Sequence, residues 1–492
     1  MKTSDSNNKK LNVAKNFFSF LSSRILDIAT SLITTAVVAR YLGVTKFGDY
    51  VFAMAVVLFI VPLTFFGLER ITIREIARQK DKADSILGAA LLARWVLVAI
   101  AGVIIAISIY VIKVDWYIAL VIAVAAVSEL INSSSTVFIS VFRAYEKMEY
   151  ETLITLLSKI SSLICVLIVV YLNLGMIAIV GAFAFSNILK LVISMYMAEK
   201  KFVKPKFTKD LQMVKFMIKE SYLLGVGIFF MMALPRISIF FLKNSGNIEG
   251  VAYFQAAFNI VQPLVMIPLS FGMAIFPIIS RSVSETKDNI NRFSHNISES
   301  LFLLALPIAA IIFLFSDDII RILFGKKFLP AANVLRILSF AMAVEFMFSI
   351  YEFLLTAMGL IKAVSIGRAI AFFLNLAICM LIIPSYGYKG AAWAMVLSNG
   401  FLTAFFIIAI NNAGINLFKA KMIPFIIKVI SAVCIASLYI FYLKGTSILK
   451  NILVGITGLL LYIVLMFFFK GLPKMIKKNG MKAGQKEVKW EN

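Results

Sequence analysis

The sequence predicts an all-α, polytopic membrane protein, and three observations carry that prediction. Hydrophobic residues make up 61% of the 492 positions and charged ones only 15%, where a soluble globular chain has about 25% charged residues. The apolar residues fall in runs long enough to cross a hydrocarbon core as helices of about 20 residues. The formal net charge of +24 is concentrated in the short segments between those runs, the pattern of the positive-inside rule. The same distribution argues against nucleic acid as a partner, because no soluble domain remains to present a basic patch.

Fourteen spans follow in order, near residues 14–39, 47–67, 86–112, 116–141, 152–172, 176–197, 219–242, 250–279, 298–316, 332–357, 363–383, 389–410, 423–443 and 448–469. The first is too long for a signal peptide and runs into "VVARYLG" without a small-residue cleavage site, so it is expected to remain as a span. Linkers such as "YLNLGM" and "PSYGYKG" are short enough for antiparallel hairpins. With the N-terminus in the cytoplasm, the inner segments hold about three times the basic residues of the outer ones. They include "ERITIREIARQKDK" (69–82), the amphipathic connector around 198–218 and the tail "KGLPKMIKKNGMKAGQKEVKW" (470–490). An even number of spans returns the C-terminus to the same side, so both termini are expected in the cytoplasm. Pro235, Pro263, Pro268, Pro277 and Pro307 place expected kinks in spans seven to nine.

Little in the sequence suggests bond-making chemistry. Cys165, Cys379 and Cys434 lie in apolar runs without ligand-like spacing and read as buried small hydrophobes. The single histidine, His295 in "RFSHNISES", reads as a solvated residue of a connector. No metal and no cofactor are expected.

An internal repeat organises the chain. "AYEKMEY…LGMIAIVGAFAFSN" runs from Ala144 to Asn187, and "AMGLIKA…YGYKGAAWAMVLSN" runs from Ala357 to Asn399. Gly175 and Gly387 open the second hairpin helix in each, and Ser186-Asn187 and Ser398-Asn399 follow at the same spacing. A fainter echo pairs "FGDYVFAM" (47–54) with "EGVAYFQA" (249–256). The offset corresponds to six spans, so the two copies keep one orientation, an arrangement that frames a cavity between parallel repeats.

"ARYLGVTKFGDYVFA", "RILFGKKFLPAANVLRILSFA" and "FLLTAMGLIKAVSIGRAIAFFLNLAICMLIIPSYGYKGAAWAMVLSN" resemble the polysaccharide-transporter branch of the multidrug/oligosaccharidyl-lipid/polysaccharide exporter superfamily, which contains the O-antigen and capsule-type flippases. The likeness covers nearly the whole chain. It implies two six-helix bundles forming a V-shaped central cavity, two further helices, and outward carriage of lipid-pyrophosphate-linked glycans. The organisation it implies is an N-terminal lobe with its connector over 1–212, a C-terminal lobe over 213–414, two last helices over 415–470 and a basic tail over 471–492. It further implies a monomer in the cell (inner) membrane. Its partners would be a polyprenyl-phosphate-linked glycan, membrane lipids, and the glycan polymerase and glycosyltransferases of one pathway.

Charges inside the spans bear on the cargo. Arg24, Asp27, Ser31 and Thr34 share one helical face, as do Glu129, Ser133, Thr136 and Ser140; so do Gln255, Asn259 and Gln262; Glu345, Ser349, Glu352 and Thr356; and Asn187, Lys190 and Ser194. Such stripes cannot all face hydrocarbon, so convergence on a wet cavity is expected. Arg24, Arg94, Lys159, Lys190, Arg236 and Arg368 lie within spans and outnumber the acids, which suits an anionic phosphate-linked head group. The competing readings are that Lys190 and Arg368 snorkel, that Arg24 and Asp27 neutralise each other, and that Arg94 bridges bundles. Asp27, Glu129, Glu345 and Glu352 are candidates for proton or sodium coupling, with salt-bridging to the cations as the alternative. A drug or metabolite antiporter for organic cations would call for an acidic cavity instead. A membrane-embedded glycan polymerase or ligase would call for an external loop bearing acid–base groups, which the chain lacks, so an enzyme is not expected.

Overall fold

A computed structural model describes the backbone of residues 2–207, 211–285, 287–415, 422–445 and 447–469. Side chains are described from residue 28 on, except at 211, 223, 224, 274, 277, 278, 281–285, 287–290, 292, 293, 348 and 422. No strand occurs among the described residues. In chain order the helices are α1 (Lys2–Ile60), α2 (Pro62–Phe65), α3 (Leu68–Arg78), α4 (Ala83–Ile112), α5 (Trp116–Ala144), α6 (Met148–Tyr171), α7 (Gly175–Lys201) and α8 (Leu211–Asn244). They continue with α9 (Ile248–Glu285), α10 (Lys287–Leu314), α11 (Ser316–Leu323), α12 (Ala331–Ala357), α13 (Ile361–Asn412), α14 (Met422–Leu443) and α15 (Ile448–Phe468).

Among the described residues, 12 helical segments are long and apolar enough to cross a membrane. Two of them, Ile28–Arg78 and Ile361–Asn412, run to 51 and 52 residues. Each is broken at a glycine with non-helical torsions, Gly43 (φ 70°, ψ 177°) and Gly387 (φ 53°, ψ −133°). Each therefore holds two spans, and the total reaches the fourteen that the hydropathy pattern predicts. The outward faces are apolar: Ile107, Leu381, Val464 and Phe467 are more than half exposed. Continuous stripes of this kind are unfavourable in water and at home in lipid. The chain is a multi-pass membrane protein.

A second break lies after α1. Pro62 opens the one-turn α2, Phe66 (φ 39°) and Gly67 (φ 70°) are left-handed, and α3 departs as an amphipathic helix burying Leu68, Ile71, Thr72, Glu75 and Ile76. Proline removes a helix donor and glycine accepts the left-handed turn without a Cβ clash. The expected second span ran straight through this point. Two smaller expectations also change. Cys434 is exposed on α14 and Cys165 half-buried on α6 rather than buried, and His295 sits within α10 with Nε2 3.5 Å from Glu299 Oε1 and only 20% of its side chain exposed.

The chain forms two compact bodies of discontinuous sequence. The first comprises Met1–Asn259, Leu323–Ala331 and Arg368–Ala394. In it α5 packs along α7, α6 packs on α7 and α1, and α3 closes on α4, α5 and α8. Leu68, Ile86, Leu87, Phe142 and Ile154 belong to one of its buried clusters. Phe59, Phe229, Phe240 and Phe372 join α1, α8 and α13 with ring centroids 5.5–6.4 Å apart. Arg143 grips Glu151 with Nε and Nη2, both at 2.7 Å, and donates through Nη1 to Glu69, tying α5 to α6 and α3. The connector runs as non-helical chain over 203–207; Lys206 N donates to Asp84 O at 3.0 Å and Phe207 stacks on Trp95 at 5.4 Å.

The second body comprises Ile260–Ile322, Ala332–Gly367 and Met395–Asn492. There α10 packs on α14, and α14 on α15. Lys444 Nζ donates to Leu314 O at 2.6 Å and lies 3.2 Å from Asp318 Oδ2, which also accepts from Asn451 Nδ2 at 3.1 Å. Tyr462 OH donates to Leu303 O at 2.8 Å. These contacts anchor the last two helices.

The internal repeat is visible in backbone geometry. After α5, Glu146 is left-handed (φ 57°) and Lys147 N donates to Phe142 O at 2.8 Å; after α12, Gly359 is left-handed (φ 76°) and Leu360 N donates to Leu355 O at 2.9 Å. Both ends are the same Schellman-type cap. The Ser-Asn pairs also act alike within their own bodies: Asn187 donates to Ser128 on α5, and Asn399 donates to Glu345 on α12.

Candidate functional site

The polar residues of the first body gather around Glu129, halfway along α5. Asn132, one turn on, donates through Nδ2 to Glu129 Oε2 at 3.2 Å, and its Oδ1 accepts from Lys190 Nζ of α7 at 2.9 Å. Lys159, at the middle of α6, donates to Ser31 Oγ of α1 at 3.1 Å. Asn187 of α7 donates to the Ser128 carbonyl and hydroxyl at 3.2 and 3.0 Å. On α8, Arg236 Nη1 lies 3.5 Å from Gln255 Oε1 of α9, and Gln255 Nε2 donates to Asn259 Oδ1 at 2.5 Å. Lys190, Lys159 and Arg236 are all within electrostatic reach of the Glu129 carboxylate. Among the described residues, three cations thus face one carboxylate at membrane depth, where uncompensated charge costs several kcal/mol. Their described hydrogen-bond partners include the neutral oxygens of Ser31, Asn132 and Gln255, which a stronger acceptor can replace.

The stripes divide by side-chain length. Thr34, Ser133, Thr136, Ser140, Ser194, Ser349 and Thr356 donate to backbone carbonyls of their own helices. Short hydroxyls satisfy themselves locally, and Lys159, Lys190, Asn187, Arg236 and Asn399 reach across to a neighbouring helix. Sequence reasoning passed over Ser128 and Asn132, which flank the stripe; the i, i+3 spacing of Asn132 from Glu129 was the available signal.

Not every expected cation joins this group. Arg94 is fully buried on α4, donates from Nη1 to Thr64 O at 2.6 Å and lies 5.3 Å from the Phe65 ring centroid. It thus satisfies a carbonyl freed by the break around α2, while its Nε and Nη2 have no hydrogen-bond partner among the described residues. Arg368 is half-buried on α13. Arg24 and Asp27 carry side chains outside the described residues. Gln262, an α9 residue of the second body, is exposed. Glu345 and Glu352 lie half-buried on α12 in that body, where Asn399 Nδ2 donates to Glu345 Oε2 at 3.2 Å.

Comparison with known proteins places this arrangement. Residues 237–463 match the family described as lipid II flippase MurJ. A putative O-antigen transporter of Shigella flexneri is 27% identical over 157 residues, 31% of this chain and 36% of that protein. A probable lipid II flippase MurJ of Rhizobium tropici is 31% identical over 176 residues, 32% of this chain and 31% of that one. A probable low-salt glycan biosynthesis flippase Agl15 of Haloferax volcanii is 28% identical over 184 residues, 37% and 38% of the two chains. The matched stretches span about a third of each of these relatives. Among solved structures, lipid II flippase MurJ in an inward closed conformation superposes with a TM-score of 0.74 at 16% identity, over 94% of this chain and 100% of that one. A MOP superfamily transporter from Pyrococcus furiosus gives 0.59 at 15% identity, over 80% and 94%. These structures show a shared fold. Residues 13–283, more than half of the chain, match the family described as polysaccharide biosynthesis protein, and the chain belongs to that family.

Proposed function

We propose that the protein is a flippase that carries a polyprenyl-(pyro)phosphate-linked oligosaccharide from the cytoplasmic to the outer leaflet of the cell membrane, for surface polysaccharide biosynthesis. The observation that carries this reading is the group of Lys159, Lys190 and Arg236 around the carboxylate of Glu129. The excess positive charge at membrane depth is stabilised by an anionic cargo. A phosphate-linked lipid supplies oxygens that outcompete the Ser31, Asn132 and Gln255 acceptors, with Arg236 offering a planar fork and the lysines point charges. Asn187 and Asn259 amides suit the hydroxyls of the attached sugars. Arg24, Asp27 and Arg368 are assigned to the same path and both termini to the cytoplasm, whereas Arg94, fully buried on the Thr64 carbonyl, is assigned a structural role.

The names of the relatives, an O-antigen transporter and two flippases, support this class of cargo. An organic-cation antiporter fits the charge balance less well, since such cargo needs the opposite sign. The protein acts as a transporter without covalent chemistry, in a pathway that includes glycosyltransferases and a glycan polymerase. Ion coupling through Asp27, Glu129, Glu345 and Glu352 is the second part of the proposal, and Glu345→Gln with Glu352→Gln tests the last two. The double variant is expected to shift the pH profile of transport in proteoliposomes, and an unchanged profile removes coupling through this pair.

Deletion tests the main reading. Loss of the protein should leave lipid-linked precursor on the inner leaflet and strip the surface glycan. Normal surface glycan, with no redundant transporter present, would contradict it.

A further inference from the structure

A second polar site lies in the same body, away from the Glu129 group, where the ends of α1's first stretch, α4, α6 and α8 meet the starts of α5 and α7. It is a pocket of about 740 Å³, within the roughly 300–1,000 Å³ of small-molecule sites. Part of its lining is already committed. Lys243 Nζ pairs with Asp49 Oδ1 at 3.2 Å and lies 5.4 Å from the Phe52 ring centroid, so these two charges cancel. Tyr41 OH accepts from Gly175 N at 3.0 Å and donates to Asn173 Oδ1 at 2.7 Å, which reserves the Asn173 NH2 for a further acceptor.

What remains is Lys46, Lys113, Asp115 and the Tyr117 phenol. Asp115 stands at the N-cap of α5, yet its carboxylate makes no capping bond. A side chain that normally serves its own helix is therefore available to the pocket. Lys113 sits at φ 51°, a left-handed conformation that a lysine adopts only at a cost. The turn is held in this shape at the pocket rim. Two cations against one carboxylate leave a net charge of one positive. Amide, phenol and carboxylate groups together suit a ligand rich in hydroxyls. A diphosphate fits badly, because the Asp115 carboxylate repels it and a net charge of one positive does not balance its several negative charges.

We propose that this pocket binds an acidic saccharide: a sugar carrying one carboxylate, held by Lys46 and Lys113, with its hydroxyls shared among Asp115, Tyr117 and Asn173. The inference rests on the proposed flippase function, since that reading turns these helix ends outward, where the sugar chain of a translocated lipid emerges. The pocket then gives the released glycan a resting place separate from the phosphate-binding group.

The test uses the full chain in phosphatidylcholine nanodiscs, titrated with a glucuronate-containing tetrasaccharide (a hyaluronan fragment) and with neutral chitotetraose. The acidic sugar is expected to bind about tenfold more tightly than the neutral one. Lys46→Ala with Lys113→Ala should erase that preference and leave neutral binding unchanged. Lys46→Glu with Lys113→Glu should invert it. Equal affinity for the two sugars in the unmodified protein, or an unchanged preference in both double variants, overturns the proposal. So does full displacement of the sugar by phosphatidylglycerol, which would make a lipid head group the occupant. Lys159→Ala with Lys190→Ala should stop flipping while leaving the saccharide titration intact. Saccharide binding without any flipping by the unmodified protein would sink the transport reading and spare the pocket.

Discussion

Lys190 reaches from α7 to Asn132 at 2.9 Å, and Asn132 passes the contact on to Glu129. A charged hydrogen bond of this kind to a cargo phosphate is worth about 1.5–3 kcal/mol. Lys190→Ala should therefore slow flipping in proteoliposomes about tenfold or more, and Lys190→Arg should retain part of the rate. Arg143 serves stability instead, with its bidentate grip on Glu151 and its bond to Glu69. Arg143→Ala strands two partly buried carboxylates and should cost about 2–3 kcal/mol, read as a lower melting temperature in detergent. Arg94 illustrates what local reading misses. Its charge within an apolar run was plain, but its partner, the Thr64 carbonyl, exists only because the chain breaks at Pro62 and Gly67.

At the scale of elements, the repeat places matching caps after α5 and α12 but fills the left-handed position differently, with Glu146 in one and Gly359 in the other. Only glycine is at ease there. Glu146→Gly should stabilise the protein by about 0.5–1 kcal/mol, and Gly359→Ala should destabilise it by about 1 kcal/mol. Thermal unfolding of the two variants checks both signs. Helix positions and the repeat were legible in the sequence because hydropathy and turn glycines are local signals. The kinks within α1 and α13 were legible only as the ends of separate spans, since Gly43 and Gly387 bend the chain without a long linker. The association of Lys159 with Ser31, and of Arg236 with Gln255, depends on which helices pack together. Periodicity places such residues on faces and leaves their partners unspecified.

For the whole molecule, apolar helix faces specify the solvent, and the proposed function has the balance of charge at depth set the cargo's sign. Among the described residues the first body holds more cations than carboxylates in its polar centre, and replacing them is expected to affect transport more than folding. The most direct measurement is the affinity of the reconstituted protein for a polyprenyl-diphosphate-linked oligosaccharide, before and after Lys159→Gln, Lys190→Gln and Arg236→Gln are combined. A folded triple variant should bind at least about a hundredfold more weakly and flip no cargo. Unchanged binding and flipping by that variant would contradict the cationic cluster as the seat of recognition.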